Sequence, residues 1–229
     1  MTTIAFATDI HHDTRIFEWL AWARASRDVV AIGGDLDDPV RKLGDPFGFL
    51  MHVLMPSSVK DRILALPQVV TVLGNHDRPD PRALHGAAVT IKGITIGGVG
   101  GSLPTGEFPF QVEESEYDSI LRKLGRVDVL ISHEPPYDTN CDLKHGDRHI
   151  GSRAVREYIL RERPSLVLVG HVHESAGIDR LGPSTVVNPG PFFRGNYAAA
   201  EMGGGDVRVT TVKVDSIRRG HMIRPSSYL

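Results

Sequence analysis

Five short stretches of this sequence place aspartate, asparagine or histidine directly after a run of apolar residues. They are Asp9-Ile10-His11, Gly33-Gly34-Asp35, Gly74-Asn75-His76-Asp77, Ser132-His133-Glu134 and Gly170-His171-Val172-His173. Carboxylate, amide and imidazole groups without thiolate suit Mn, Fe, Zn or Co better than Ca. A lone histidine is usually a structural or surface residue, and a glycine before an aspartate is often only a turn. Five such stretches at the ends of apolar runs instead indicate a metal site.

The same residue types fit a pair of ions rather than one. The two overlapping ligand sets would be Asp9, His11, Asp35 and one of His171 and His173 for the first ion, and Asp35, Asn75, His133 and the other histidine for the second. A carboxylate has two oxygens, so an aspartate can bridge ions about 3.5–4 Å apart. The spacing alone does not decide which histidine of the last pair would bind which ion.

Composition excludes several other classes of protein. The chain has 229 residues, with eleven histidines and one cysteine. A single cysteine cannot close an internal disulfide and cannot build a cysteine-rich zinc or iron–sulfur site. The formal net charge of −2 argues against a broad electrostatic surface for nucleic acid. No apolar run approaches the roughly 18 residues that span a bilayer, and the first residues lack a basic signal-peptide region, so we expect a cytoplasmic protein without a membrane partner.

The elements that must position these side chains are short strands alternating with helices. Apolar, β-branched runs predict strands at Thr3–Thr8, Val29–Ile32, Val69–Leu73, Val127–Ile131 and Leu166–Val169. Helical patterns lie at Arg15–Ala25, parts of Pro46–Leu66, Glu113–Leu124 and Ser152–Arg163. This alternation predicts a largely parallel sheet, whose carboxyl edge would gather the five stretches.

Two regions depart from the alternation. Val89–Val99 reads as a hairpin, and from Gly177 onward short strands follow one another without helices, which predicts antiparallel strands flanking a second sheet. We therefore expect a layered α/β sandwich in a single domain, residues 1–229, of which residues 216–229 form a loose tail.

In their order along the chain these motifs resemble those of the calcineurin-like metallophosphoesterase superfamily. The series D-x-H, G-D, G-N-H-[DE], a later strand-end H and G-H-x-H is complete here, and Asn188-Pro189-Gly190 also fits. The stretch His133-Glu134-Pro135-Pro136-Tyr137 is similar to the small single-domain predicted phosphoesterases of prokaryotes. The resemblance implies a four-layer αββα sandwich of two mixed sheets.

The resemblance also implies roles for the strand-end residues. It assigns Asp9, His11, Asp35 and His173 to one metal ion, and Asp35, Asn75, His133 and His171 to the other. His76 would be a catalytic residue that binds phosphate and protonates the leaving group, and Asp77 would hydrogen-bond and orient it. The cofactors would be two divalent ions, with Mn preferred and Fe, Zn, Co, Ni or Mg as alternatives.

The function implied is a binuclear-metal-dependent phosphohydrolase, a phosphodiesterase or phosphatase, that cleaves a small phosphoester by metal-activated water. Two alternatives use the same fold. A nuclease would need a basic groove and usually a capping domain, neither of which is evident. A non-catalytic protein-interaction scaffold would typically have lost ligands or the catalytic histidine, whereas all are present here.

Candidates for substrate contacts come from positions beside the motifs. They are His12, Arg78, Tyr137, His149 and Arg194. The arginines could pair with phosphate, and Tyr137 could stack on a base. The long segment Leu36–Leu66 is a candidate substrate wall. Within it, the apolar stretch Phe47–Met55 would pack a helix, with an exposed homodimer face as the alternative.

Overall fold

Strands of three to eight residues form two large β-sheets, and the strands at their centres are apolar runs. The computed structural model describes residues 1–37 and 58–214. Its strands are β1 Thr2–Ala7, β2 Val29–Ile32, β3 Val69–Thr71, β4 Ala87–Ile91, β5 Ile94–Val99, β6 Val129–Ser132, β7 Leu143–Lys144, β8 Arg148–His149, β9 Leu166–Val169, β10 Gly177–Leu181, β11 Ser184–Asn188, β12 Asn196–Gly203 and β13 Asp206–Lys213.

The helices lie between strands β1 and β9 in the sequence. They are α1 Ile16–Ser26, α2 Val59–Leu64, α3 Glu114–Leu124 and α4 Arg153–Glu162, with a 3₁₀ turn at Phe192–Arg194. The Ser58 side chain caps α2 and the Ser152 side chain caps α4, each accepting a hydrogen bond from a backbone N–H of the first turn. These caps fix where the chain turns from loop into helix.

Both large sheets are mixed. The first has the strand order β13-β12-β1-β2-β3, with β1, β2 and β3 parallel and β12 antiparallel to β1. The second has the order β10-β11-β9-β6-β5-β4, in which the four central strands are parallel and the two outer strands antiparallel. A small hairpin of β7 and β8 stands apart from both sheets.

Three apolar cores separate four layers. The central core joins the facing sides of the two sheets, with Phe6 and Val72 from the first meeting Ile131 and Leu168 from the second. An outer core packs α1 on the first sheet, and another packs α3 and α4 on the second. Strands covered on both faces account for their continuous apolar sequences. The four-layer αββα sandwich of two mixed sheets expected from the sequence is confirmed.

The predicted elements agree with the observed ones to within one or two residues at most boundaries. The predicted hairpin at Val89–Val99 is formed by β4 and β5, which turn through Lys92 and Gly93 with φ of 52° and 78°. The sequence suggested that all strands after Gly177 flank the second sheet, and this prediction is wrong for two of them. The hairpin of β10 and β11 joins that sheet, whereas β12 and β13 complete the first.

Several sequence-based predictions fall on residues outside the described ranges. Of the helical pattern Pro46–Leu66, the structure describes α2, and the stretch Phe47–Met55 lies outside. The Leu36–Leu66 wall lies largely outside, as does the tail at residues 216–229. Among the described residues, no helix is long and apolar enough to cross a membrane.

Candidate metal centre

The five motif stretches converge although their strands belong to two different sheets. Asp9 and His11 follow β1, Asp35 follows β2 and Asn75 follows β3, all in the first sheet. The histidines at 133, 171 and 173 follow β6 and β9 in the second. Because the two sheets are stacked, their carboxyl edges meet, and the donors face one another across the gap between the sheets.

The turns that carry these donors adopt an uncommon backbone conformation. Asp9, His11, Asp35 and His171 all have positive φ, between 46° and 67°. L-residues enter this left-handed region at an energetic cost, and such residues cluster at functional sites. These four residues are thus donors of the candidate centre.

A first cluster consists of two carboxylates and two imidazoles. One ligand atom from each of Asp9, His11, Asp35 and His173 lies within 4.8 Å of the others. His173 Nε2 is 3.3 Å from Asp9 Oδ1, and His11 Nε2 is 3.6 Å from Asp35 Oδ2. Separations of this size are long for hydrogen bonds but suit ligands that share one ion at about 2.0–2.2 Å. The donor set therefore fits a divalent cation.

A second cluster adjoins the first and shares Asp35. Asn75 Oδ1 lies 3.1 Å from His133 Nε2 and 2.9 Å from His171 Nδ1, and His133 Nε2 is 3.5 Å from Asp35 Oδ2. His133 Nδ1 is 2.7 Å from the carbonyl oxygen of Gly33, which fixes the ring and directs Nε2 into the cluster. One amide oxygen, one carboxylate and two imidazoles thus point to a common position.

The buried charges of the centre depend on one another. Burial by itself would raise the pKa of Asp35, but the neighbouring His133, His11 and His76 hold that pKa well below its ordinary value. Burial opposes the charged form of His133 too, yet Asp35 and Asp9 raise its pKa to about 10. Burial likewise opposes ionisation of Asp9, but His173 and His133 hold its pKa below the ordinary value. Asp35 and Asp9 are therefore both anionic in the folded protein, which is the form that binds a metal ion.

His76 lies at the rim of these clusters. Its backbone N–H donates to Asp35 Oδ1 at 2.9 Å, and its ring centroid is 5.0 Å from that of His11. The ring also packs against Phe108, at 4.8 Å between centroids. Half-buried, His76 is placed beside the donor clusters with its ring against an aromatic wall.

Asp77 accepts hydrogen bonds from the backbone of two neighbouring loops. The hydrogen bonds described for its carboxylate come from the backbone N–H groups of Leu36, Asp37 and Gly74, at 2.9–3.2 Å. These bonds join the loop after β2 to the loop after β3. The hydrogen bond expected between Asp77 and the His76 ring stays a prediction. Burial and the nearby Asp35 charge raise the pKa of Asp77 to about 6.

Two glycines permit the close approach of these loops. A Cβ on Gly74 would collide with the backbone nitrogen and carboxylate of Asp35. A Cβ on Gly170 would collide with the Thr8 hydroxyl and lie 2.8 Å from Asp9 Oδ2. Glycine is thus required because the backbone itself passes against a donor residue.

The candidate substrate residues are distributed around this centre in two groups. His12 and Arg194 lie beside it: His12 Nδ1 is 3.2 Å from Asp37 Oδ1, and the Arg194 guanidinium is 5.6 Å from the Phe193 ring. Arg78 is exposed on the loop after His76. A contact between substrate and any of these three residues stays a prediction.

Tyr137 and His149 form a separate cluster, with ring centroids 5.7 Å apart. The Arg153 guanidinium lies 4.0 Å over the Tyr137 ring, and His149 Nδ1 is 2.7 Å from Asp142 Oδ1. One face of Tyr137 is therefore already covered, which leaves less room for the base stacking suggested from the sequence. The hairpin of β7 and β8 links this cluster to the centre, because the His145 N–H donates to Glu174, the residue after His173.

Three residues of the centre were not picked out by sequence reasoning. Phe193 packs edge-on against His11 and His173, with centroids 5.4 and 5.3 Å apart, and Phe108 packs against His76. Glu134 is buried, with Oε2 accepting a hydrogen bond from Leu103 N–H and lying 3.9 Å from His171 Nε2. Glu134 follows a motif histidine, a signal that could have been used; the two phenylalanines lie in loops without any such signal.

Comparison with known proteins gives a family and a fold. Residues 72–212 match the family described as "Metallophosphoesterase, calcineurin superfamily". An uncharacterised protein of Methanocaldococcus jannaschii is 36% identical over 112 residues, which cover 44% of this chain and 50% of that protein. A Caenorhabditis elegans protein is 33% identical over 111 residues, 46% of this chain and 38% of that protein. The alignments thus span half or less of these curated relatives.

Solved structures share the fold at low sequence identity. A Thermus thermophilus crystal structure superposes with a TM-score of 0.63 at 20% identity, covering 93% of this chain and 99% of the other. A Danio rerio protein described as a dimetal phosphatase superposes with a TM-score of 0.55 at 13% identity, with the same coverage of both chains. These likenesses support the two-sheet architecture.

Proposed function

The chain belongs to the calcineurin superfamily of metallophosphoesterases, and on that premise we propose that it is a phosphohydrolase that depends on two divalent metal ions. The observation that carries the proposal is the pair of adjoining donor clusters that share Asp35. A single buried carboxylate between two sets of imidazoles is the arrangement that two ions about 3.5–4 Å apart would need. The dimetal phosphatase of Danio rerio, with the same fold, agrees with this proposal.

We assign Asp9, His11, Asp35 and His173 to one ion and Asp35, Asn75, His133 and His171 to the other. Divalent cations in such a centre supply Lewis-acid activation of water and of phosphoryl oxygens. The family implies divalent metals, and donors of nitrogen and oxygen without thiolate suit Mn, Fe, Zn or Co. Among these we propose Mn as the preferred ion.

The protein's own groups supply charge balance and proton transfer. Asp9 and Asp35 stay ionised, and two divalent cations held there would outweigh their two negative charges, so that the loaded centre would attract a phosphate anion. His76, at the rim, is within reach of the leaving-group side, where its imidazole N–H would protonate the departing oxygen. Phe108 and Phe193 cover the imidazoles of His76, His11 and His173 and so restrict access of bulk water to that side.

The test separates metal binding from turnover. We expect the metal-loaded protein to hydrolyse bis-p-nitrophenyl phosphate or p-nitrophenyl phosphate, and His76→Ala to keep its metal while losing about 100-fold or more in turnover. The exposed His145, on the hairpin of β7 and β8, provides a matched control, and His145→Ala should retain metal and turnover.

Two results would contradict the proposal. Undiminished hydrolysis after the metals are removed would show that the clusters are not the active centre. Tight metal binding without hydrolysis of either ester, or of cyclic nucleotides and nucleic acid under Mn, Ni, Co, Zn and Mg, would favour a scaffold.

A further inference from the structure

A groove of about 390 Å³ lies between the two sheets, far from the metal centre. Ser165, which precedes β9, and Thr185, which pairs with the first residue of β9, both line it. His171 and His173 of the metal centre follow the opposite end of the same strand. The four residues of β9 span roughly 13 Å, so the groove is a separate site on the other edge of the sandwich.

Three arginines from three different elements line this groove. Arg163 follows α4, Arg180 is on β10 and Arg208 is on β13. Within residues 1–37 and 58–214, none of the three guanidiniums forms an ion pair closer than 4.0 Å. Asp206 is the acidic residue of the lining. The groove therefore carries an excess of two positive charges, which complements a doubly charged anion.

The Arg163 backbone is held in an unfavourable conformation. It ends α4 with φ of 56°, in the left-handed region where glycine is the usual residue, and its N–H donates to Ile159 O. Arg180 is oriented by a long contact of 3.5 Å between its Nη1 and the Pro183 carbonyl oxygen. Among the described residues, the Arg163 guanidinium makes no side-chain hydrogen bond, and the Arg180 guanidinium makes only this one. Both guanidiniums therefore have most of their N–H donors available to a bound anion.

Thr185 provides an independent indication of a ligand. It is only 5% exposed, and its Oγ1 has no hydrogen-bond partner among the described residues. A buried hydroxyl without a partner is costly, so native proteins usually satisfy it. Since Thr185 lines the groove, a ligand oxygen placed between the arginines would provide the missing partner.

We propose that this groove binds a small molecule bearing a phosphate dianion, held by Arg163, Arg180 and Arg208 and hydrogen-bonded by Thr185. Guanidinium forks match phosphate oxygens in geometry and charge. The volume is in the usual range for small-molecule sites, roughly 300–1,000 Å³. The proposal does not depend on the phosphohydrolase function, because none of these residues belongs to the metal centre.

The test is calorimetric titration of the full-length protein with inorganic pyrophosphate at fixed ionic strength. The titration is run on metal-loaded protein and repeated after chelation, so that binding at the metal centre is distinguished. We expect one binding event that persists after chelation. Arg163→Gln, Arg180→Gln and Arg208→Gln should each weaken it about tenfold, the loss typical of one charge-assisted hydrogen bond.

Matched variants distinguish specific binding in the groove from unspecific attraction of the anion to the protein's positive charges. Arg122→Gln removes an exposed arginine that pairs with Asp118 elsewhere on the surface, and should leave binding unchanged. Thr185→Val should weaken binding, whereas Thr185→Ser should retain it. Hydrolysis of bis-p-nitrophenyl phosphate should be unaltered in every variant, which also shows that each is folded.

Three outcomes would overturn the proposal. They are the absence of a chelator-resistant event, an equal loss in Arg122→Gln and Arg180→Gln, and equal affinity for citrate and pyrophosphate. The last would show a polycarboxylate or unspecific anion surface instead of a phosphate site.

Discussion

At the scale of single residues, Asp35 links the two donor clusters. Its Oδ2 lies 3.6 Å from His11 Nε2 in one cluster and 3.5 Å from His133 Nε2 in the other, and its Oδ1 accepts the His76 N–H. The side chain is almost fully buried. Removing its charge should therefore affect both clusters at once.

We predict that Asp35→Asn weakens metal binding at both clusters. The amide keeps the size of the side chain but loses the negative charge, so the loss should exceed the roughly 10–100-fold typical of changing an outer partner. Metal content after dialysis, measured by plasma mass spectrometry, checks this. Asp118→Asn, at an exposed carboxylate on α3, is the control; wild-type metal content in Asp35→Asn would contradict the prediction.

Burial lowers the reactivity of the Cys141 thiol. Its side chain is buried, with Sγ 3.6 Å from the Gly177 carbonyl oxygen, and burial raises the thiol pKa to about 12. Because the thiolate forms only as the pH approaches that value, Cys141 stays protonated at pH 8.

We predict that iodoacetamide alkylates Cys141 at pH 8 at least about 100-fold more slowly in the folded protein than in guanidinium, where the pKa returns to about 8.5. Mass spectrometry of timed samples measures both rates. Comparable rates in the two states would mean that the thiol is accessible in the folded protein.

At the scale of elements, hydrogen bonds to one side chain connect the loop after β2 with the loop after β3. The Asp77 carboxylate receives backbone N–H groups from Leu36, Asp37 and Gly74. These loops carry Asp35 and Asn75, so their separation sets the geometry between donors. Asp77 is thus placed to brace the centre.

We predict that Asp77→Asn lowers the free energy of unfolding by roughly 1–3 kcal/mol, because an amide NH₂ would replace an acceptor that faces backbone donors. Denaturant unfolding measures the change, with the exposed Asp147→Asn as the control. Lost turnover with unchanged stability would instead favour the original interpretation, in which Asp77 acts on His76.

The strands and the donor residues are largely readable from the sequence, for identifiable reasons. A run such as Val-Val-Ala-Ile at 29–32 is too short for a helix and buried on both faces, so the local pattern gives the strand. The polar residue that follows it, Asp35, is then placed at a sheet edge by topology alone.

The strand order and several contacts of the centre could not be predicted from the sequence, because they depend on segments that are far apart in the chain. Ile4 pairs with Ala200, and no local pattern says that β12 rather than β11 lies beside β1. Phe193 meets His11 only because the first sheet brings residues 11 and 193 together. Likewise, the partners of Asp77 are backbone groups, which leave no mark in side-chain motifs.

At the scale of the whole molecule, the candidate metal centre joins the two sheets. Asp9, Asp35 and Asn75 come from the first sheet and His133, His171 and His173 from the second. Ions bound there would connect elements that are otherwise held mainly by the central apolar core. Metal binding and folding should therefore be coupled.

We predict that a divalent ion at 100 times its dissociation constant stabilises the protein by about 2.7 kcal/mol per site, which would raise the melting temperature by roughly 5–10 °C. Differential scanning calorimetry with Mn and with chelator measures the shift. Asp35→Asn should show a much smaller shift, and identical melting of the wild type in both buffers would contradict the coupling.

The pairing of β1 with β12 has a consequence for how the protein assembles. Thr2 pairs with Met202, so an inner strand of the first sheet lacks one neighbour until nearly the whole described chain has been synthesised. At about 5–20 residues per second the ribosome needs on the order of 10–40 s to produce that neighbour. During this interval β1 presents an unpaired edge to the cell, and sequence-distant pairing of this kind slows folding. Nascent chains of this protein should thus depend on chaperones until β12 emerges.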